Sequence, residues 1–327
     1  PSVFMMRFDM RAPAFGAPAH ELYAAALEMA AWGETRGLIA ASISEHHGME
    51  DGYLPSPLAM AGAMAARTTT LPIMVAALVL PFYDPIRLAE DMLVIDIISG
   101  GRVSYVAALG YVPEEYEHHG VDFSRRAQIA DEKLALLLQA KSGDPFDHEG
   151  RQIRVTPAPV TPGGPRIAWG GGSAAAARRA GRFGVDFMAQ GGDPGLADVY
   201  AESAVTHGHT PGFCMIPPVD MATTMFVAHA VDQAWDELGP HLLHDAVSYA
   251  SINPGNTHTA SLSRATTVAE LRAENRTHRI VTVDEAIAIV RAGAPLALHP
   301  LVGGLHPDLA WRYLLTVVND VLSGAQS

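Results

Sequence analysis

Short apolar runs alternate with helical segments along nearly the whole chain, and this alternation constrains the fold more than any other feature. Residues 73–80 are continuously apolar up to Pro81, as expected of a strand buried on both faces of a parallel sheet. Further strands are expected over 3–9, 38–44, 103–109, 166–169, 185–190, 221–228 and 296–299. Helical spacing fills the intervals. Leu22, Ala26, Met29, Ala30 and Gly33 repeat at helical spacing. Ser56-Pro57 and Asp84-Pro85 each set a capping side chain before a proline at the first helical position. Ile86, Ala89, Leu93 and Ile97 read as one stripe, and Gly100-Gly101 stops that helix. More helices are expected over 124–141, 173–183, after Asp193-Pro194, over 232–250 and over 307–323. Thr282 to Glu285 spells a capping box that opens another.

Eight strand–helix units in 327 residues predict an α/β chain, a (β/α)8 TIM barrel forming one domain over 1–327. An open doubly wound sheet is the competing architecture. Two stretches are expected as insertions in the later connections, a Pro/Gly-rich one near 143–165 and a polar one near 250–281. Composition removes several function classes. Lys plus Arg number 22 against 35 Asp plus Glu, a net charge of −13, and this lacks the basic footprint that nucleic acid requires. The most apolar stretch is half the length needed to span a bilayer. The N-terminal PSVFMMRFDMR reads as a strand rather than a secretory signal. One cysteine, Cys214, excludes an internal disulfide framework and fits a reducing compartment. A cytoplasmic location is therefore expected.

In a (β/α)8 barrel, chemistry sits at the C-terminal ends of the strands. The second strand ends in Ser44-Glu45-His46-His47-Gly48. An acid beside two imidazoles offers proton transfer, hydrogen bonding to a bound ring or metal ligation. The plainer alternative puts one histidine in solvent and pairs the other with Glu45. After the fifth strand comes Trp169-Gly170-Gly171-Gly172-Ser173, running straight into a helix. Its free amides and a Ser cap suit an anion, although an ordinary Gly-rich turn reads the same way. It is neither a Walker A loop nor a dinucleotide fingerprint. His118-His119 and His207-Gly-His209 lack a third ligand at metal spacing. Glu114-Glu115 and Asp131-Glu132 read as solvated surface. No metal site is expected.

The runs SEHHGMEDGYLPSPLAMAGAMAART, VAALVLPFYDPIRLAEDMLVIDIISGGRVSYVAALGYVPEEYEHHGVDFSRR, GGGSAAAARRAGRFGVDF and LHPLVGGLHPDLAW resemble the bacterial luciferase-like flavin-dependent oxidoreductases. The resemblance covers about residues 4–322 and is weakest over 253–279. It implies a (β/α)8 barrel that binds FMN or, in one branch, the deazaflavin F420, and it implies homodimers. It also implies a small organic substrate oxidised with reduced FMN and O2, with F420-dependent reduction or dehydrogenation and non-catalytic flavin binding as alternatives. A flavin reductase is an implied partner. His46 matches the family's active-site histidine beside the isoalloxazine ring, where it would move a proton or steady an oxygen adduct. Ala76 and Ala77 match a non-proline cis peptide under the ring. Gly170, Gly171, Gly172 and Ser173 match the cofactor-phosphate site. Luciferase proper has an arginine after the fourth strand, where this chain has Leu109 followed by Gly110. A second phosphate-side hydroxyl is replaced by Ala176. Those two departures remove a bidentate partner and one hydrogen bond from a phosphate, so the flavin's identity stays open between FMN and F420.

Overall fold

The computed structural model describes residues 3–219, 221–254, 259 and 261–326. The expected alternation is present. In chain order, the first half holds β1 (Phe4–Phe8), α1 (Ala19–Glu34), β2 (Leu38–Ile43), α2 (Pro57–Arg67), β3 (Ile73–Val79), α3 (Pro85–Ser99), β4 (Val103–Ala108), α4 (Pro113–His118) and α5 (Arg126–Ala140). The middle holds β5 (Phe146–His148), β6 (Arg151–Ile153), β7 (Ile167–Gly171), α6 (Ala174–Phe183), β8 (Asp186–Ala189), α7 (Gly195–Thr206) and β9 (Cys214–Met215). The last third holds β10 (Thr224–Val227), α8 (Val231–Ser251), α9 (Val268–Glu274), β11 (His278–Val281), α10 (Val283–Arg291), β12 (Leu296–Leu298), α11 (Pro307–Thr316) and α12 (Leu322–Gln326).

Two compact units account for these elements: Pro1–Pro55 with Asp220–Ser327, and Ser56–Val219. In the first unit the strands run in the order β11-β10-β12-β1-β2, every neighbouring pair parallel. In the second the order is β3-β4-β7-β8-β9, again all parallel. Parallel neighbours need helical crossovers, and this is why one apolar run is followed by one amphipathic segment throughout. The first core is built on Phe4, Met6 and Phe8 of β1 with Leu22, Met29 and Leu298, and the second on Ile73, Val75, Leu93 and Phe187, all buried.

Local signals behave unevenly. The Asp84 carboxylate caps α3 by accepting from the Ile86 and Arg87 amides, and the Thr282–Glu285 capping box opens α10. Ser56 makes no side-chain cap bond to α2. The stripe expected on α3 is displaced: Ile97 is 43% exposed, whereas Leu88, Ala89, Met92, Leu93 and Asp96 are buried. The strand expected over 166–169 extends through two glycines, which pair with Met188 and Ala189 of β8. A Cβ on Gly170 would come within 2.9 Å of Val106 on β4. That glycine therefore serves sheet packing as well as any loop.

Both expected insertions carry structure of their own. The 143–165 stretch contains the antiparallel β5–β6 hairpin. It is fastened by the buried Asp96 carboxylate, which accepts from the Val160 amide (2.8 Å), the Thr161 amide (2.9 Å) and the Thr161 hydroxyl (2.6 Å). The 250–281 stretch, of which 255–258 and 260 lie outside the described residues, contains α9 behind a Thr267–Glu270 capping box and then β11, a full parallel partner of β10. Charge-assisted hydrogen bonds to a buried carboxylate are worth about 1.5–3 kcal/mol each before compensation. Asp96→Ala should therefore lower unfolding free energy by roughly 2–4 kcal/mol in urea titration and speed proteolysis within 143–165. Unchanged stability together with unchanged cleavage would refute the fastening role.

Candidate functional site

The first unit's site forms where β1 and β2 end. His46 is 8% exposed, and its ring meets Tyr53 edge-on at 4.8 Å and 88°. The adjacent imidazole has a different partner: His47 Nε2 lies 2.7 Å from Oε1 of the buried Glu45. The expected Glu–His pair thus exists, but the second histidine does not face solvent. The loop after β2 is pinned at Leu54, whose amide donates to the Asp9 carbonyl (2.8 Å) and whose carbonyl accepts from the His46 amide (3.2 Å). Tyr53 is buried, and its hydroxyl is hydrogen-bonded to Ser44 Oγ.

Sequence reasoning missed a buried charged cluster beside this histidine. Arg11, 2% exposed, donates to Asp51 at 2.5 Å, and its Nε lies 3.6 Å from Asp9 and 3.9 Å from Asp245. Arg7 reaches Asp245 at 3.2 Å and His299 Nδ1 at 2.9 Å. His278 Nε2 also meets Asp245 (2.8 Å), and His244 Nε2 meets Asp51 (2.8 Å). Since a guanidinium only donates, His299 Nδ1 must accept, which leaves Nε2 as the ring's N–H, 3.4 Å from Asp9 Oδ1. A partial signal was period two: Arg7 and Asp9 alternate at the end of β1, but Met10 at φ +64° turns the chain, so no local pattern places Arg11.

Burial alone would raise the Asp9 and Asp245 carboxyls. The His299 ring and Arg11 nevertheless hold Asp9 below the ordinary range, and Arg7 with His278 and His299 holds Asp245 well below it. Burial would likewise lower the Arg11 guanidinium, but Asp9 and Asp245 raise it. Asp9, Asp245 and His299 bring one ligand atom each within 4.8 Å of one another. A cation there would compete with two guanidiniums already serving as counter-charge, and it would require His299 to lose its Nε2 proton.

In the second unit, β3, β4 and β7 are successive neighbours, so their C-terminal ends bring the remaining expected residues together. The Ala76–Ala77 peptide is cis, and both alanines are partly exposed within a mostly buried strand. The Leu109 carbonyl accepts from the Tyr116 hydroxyl. Gly110 follows at φ +73°, and a Cβ there would lie 2.7 Å from Val79. Gly172 and Ser173 are exposed at the start of α6, and Ser173 Oγ accepts from the Ala176 amide at 3.2 Å. Ala176 is buried, and a Cβ on Gly171 would meet its methyl at 2.7 Å.

Two arginines of α6 are committed elsewhere, since Arg179 and Arg182 clamp Asp131 at 2.5 and 2.6 Å. Asp131 is thus half of an ion-pair clamp rather than idle surface. Glu115, expected in solvent, is 2% exposed. The remaining histidines have local structural roles. His119 stacks on Phe82 (4.4 Å, 9°), and His207 Nδ1 meets the Ser203 carbonyl at the end of α7 (2.8 Å). Burial pushes the Cys214 thiol up, away from thiolate chemistry.

A family model described as luciferase-like monooxygenase matches residues 6–294. An uncharacterized protein of Sinorhizobium fredii is 31% identical over 135 residues, 41% of this chain and 38% of that protein. The oxygenase component of a flavin-dependent trigonelline monooxygenase of Acinetobacter baylyi is 30% identical over 132 residues, 40% of this chain and 36% of that protein. Each match spans less than half the relative's length. Among solved structures, monooxygenase RslO1 from Streptomyces bottropensis superposes with TM-score 0.73 at 19% identity, covering 98% of this chain and 99% of its own. The oxygenating constituent of 3,6-diketocamphane monooxygenase from Pseudomonas putida, in complex with FMN, gives 0.68 at 18%, covering 98% of each chain. An F420-dependent secondary alcohol dehydrogenase gives 0.64 at 16%, covering 98% of this chain and 99% of its own. These likenesses establish the fold, an α/β fold of the luciferase-like (β/α)8 type. Among the described residues no helix is long and apolar enough to cross a membrane.

Removing one partner from a buried charge cluster costs roughly 3–5 kcal/mol. Arg11→Met should therefore destabilise the fold by about that amount in chemical denaturation. The depressed Asp9 and Asp245 carboxyls contribute stability that is present above the unfolded Asp value, about pH 4, and is lost as pH falls through their lower folded values. Asp245→Asn should flatten the acid limb of a Tm-against-pH curve; an unchanged limb would contradict the assignment.

Proposed function

Because the chain belongs to the luciferase-like monooxygenase family, we propose that it is a flavin-dependent monooxygenase acting on a small organic substrate with reduced FMN and O2. One observation above all carries the reading: a buried imidazole, His46, at the C-terminal end of a parallel strand, where barrel chemistry is done.

The residues present fit a flavin. Ala76 and Ala77 offer a flat, side-chain-poor surface within β3. Gly172 and Ser173 stand exposed at a helix start, where backbone amides and the helix dipole favour a phosphate. When bound, the reduced flavin would supply the electrons and activate dioxygen. His46 would hold or move a proton at an imidazole nitrogen, the usual task of a histidine in general acid–base catalysis. Glu45 keeps His47 in place and so leaves that second imidazole out of the chemistry. The Gly110 turn and the Leu109 side chain would close the phosphate side without adding charge. The trigonelline relative is the oxygenase component of its monooxygenase, and this supports a separate flavin reductase as partner.

Leu109 favours a second reading. With an apolar side chain where luciferase proper has arginine, the site suits F420-dependent hydride transfer, as the dehydrogenase neighbour's description suggests. Titrating the purified protein with reduced FMN and with F420, following tryptophan fluorescence, separates the two. We expect reduced FMN to bind more tightly. We also expect His46→Ala to lower FMN- and O2-dependent turnover by about 10²–10⁴-fold, the usual contribution of a proton-transfer group. Tighter F420 binding would establish the second reading, and cofactor binding without turnover on a broad substrate panel would leave a flavin-binding protein. Ser173→Ala should weaken FMN by roughly tenfold, about 1–1.5 kcal/mol, and leave riboflavin unchanged. Equal losses for both would remove the phosphate assignment.

A further inference from the structure

Beside His46 lies an aromatic–cation stack. The Tyr53 ring meets the imidazole edge-on at 4.8 Å and 88°. The Arg11 guanidinium carbon sits 4.6 Å from the centroid of the same tyrosine ring. Tyr53 cannot swing away easily, because its hydroxyl bonds Ser44 in the segment just after β2 that carries His46. Its neighbour Leu54 is tied by backbone bonds to both Asp9 and His46. Arg11 in turn is fixed by Asp51 at 2.5 Å, and Asp51 is also held by His244 on α8.

We propose that Tyr53 and Arg11 are positioning residues for His46, the tyrosine ring setting the imidazole's orientation and the arginine holding that ring. This rests on the reading that His46 acts in the reaction, but the orientation itself does not. Three features set it apart from ordinary core packing. A buried tyrosine normally serves as apolar bulk with one hydrogen bond, whereas this ring is contacted by a cation and by an imidazole. A cation over a ring and an edge-to-face pair are both directional, each worth about 0.5–1.5 kcal/mol. The residues that restrain the stack come from three separate elements: Arg11 after β1, Ser44 at the end of β2, and His244 on α8. A group holding a proton must be set to within about 0.5 Å and 10–20° of its productive geometry, and a stack fixed from three sides supplies that.

The test uses the full chain with ring-labelled histidine, the His46 signals being assigned by their loss in His46→Ala. Tyr53→Phe keeps the ring and should leave the His46 ring-proton shifts and turnover close to those of the parent. Tyr53→Leu removes the ring; the His46 signals should lose their aromatic ring-current displacement. Turnover should fall by roughly 10- to 100-fold, the scale expected of a small misplacement, with flavin affinity unchanged. Arg11→Lys should move the same His46 signals less than Tyr53→Leu does and should keep the folded spectrum, which guards against a variant that simply unfolds. His46 shifts in Tyr53→Leu identical to the parent's would overturn the proposal. So would a folded Tyr53→Phe protein whose His46 signals move as far as those of Tyr53→Leu, since the hydroxyl rather than the ring would then be in control. If the shifts behave as expected but His46→Ala retains full turnover, the positioning stands and the catalytic reading of His46 fails.

Discussion

Two guanidiniums and three carboxylates packed where little water reaches them, Arg7 and Arg11 among Asp9, Asp51 and Asp245, govern how the first unit is put together. No single element supplies the set. Arg7 lies on β1, Asp9 and Arg11 just past its end, Asp51 in the loop after β2, and Asp245 on α8. Each charge can tolerate burial only while the others are present, so the β1 end, the β2 loop and α8 must dock together or not at all. Such a cluster is weak evidence for stability. Several of its atoms, among them Arg11 Nε and Nη2 and Asp9 Oδ2, have no hydrogen-bond partner among the described residues, and a buried unsatisfied group costs free energy. An apolar core of the same volume would serve stability at least as well, so the cluster's persistence beside a buried histidine points toward placing that histidine.

The contrast between the two neighbouring imidazoles makes this concrete. His47 is answered by a carboxylate, Glu45, at 2.7 Å, a contact that confines the ring. His46 is answered by an aromatic ring with a cation against it. The two side chains leave an extended backbone on opposite sides, so adjacent positions in the sequence can have unrelated environments.

How much of this the sequence made legible depends on whether the signal was local. The alternation of strand and helix, the Asp84 cap, the Thr282 capping box and the Ser173 cap were all readable, because each depends on residues within a few positions; the Ala76–Ala77 cis peptide was expected only through the family resemblance. β11 was missed because its four residues, His278 to Val281, include a histidine and an arginine, and its strand character comes from pairing with β10 rather than from an apolar run. The Gly170-Gly171 pair was read as loop because glycine is a weak strand former; close approach to Val106 decided otherwise. Nothing local marks Asp96, because the amides of Val160 and Thr161 that it holds lie over sixty residues away. The charged cluster was invisible for the same reason: its partners are separated by up to 292 positions, as from Arg7 to His299.

The second unit places its charge differently. The start of α6 presents exposed glycine and serine, while the arginines further along that helix are spent on Asp131, and the residue after β4 is leucine. Anion binding there would depend on backbone amides, a helix dipole and one hydroxyl rather than on a guanidinium clamp. Amides bind a phosphate well but hold it less tightly than a bidentate arginine does. A cofactor that must arrive reduced from another protein and depart oxidised is compatible with that weaker grip, whereas a permanently held flavin would require the missing charge.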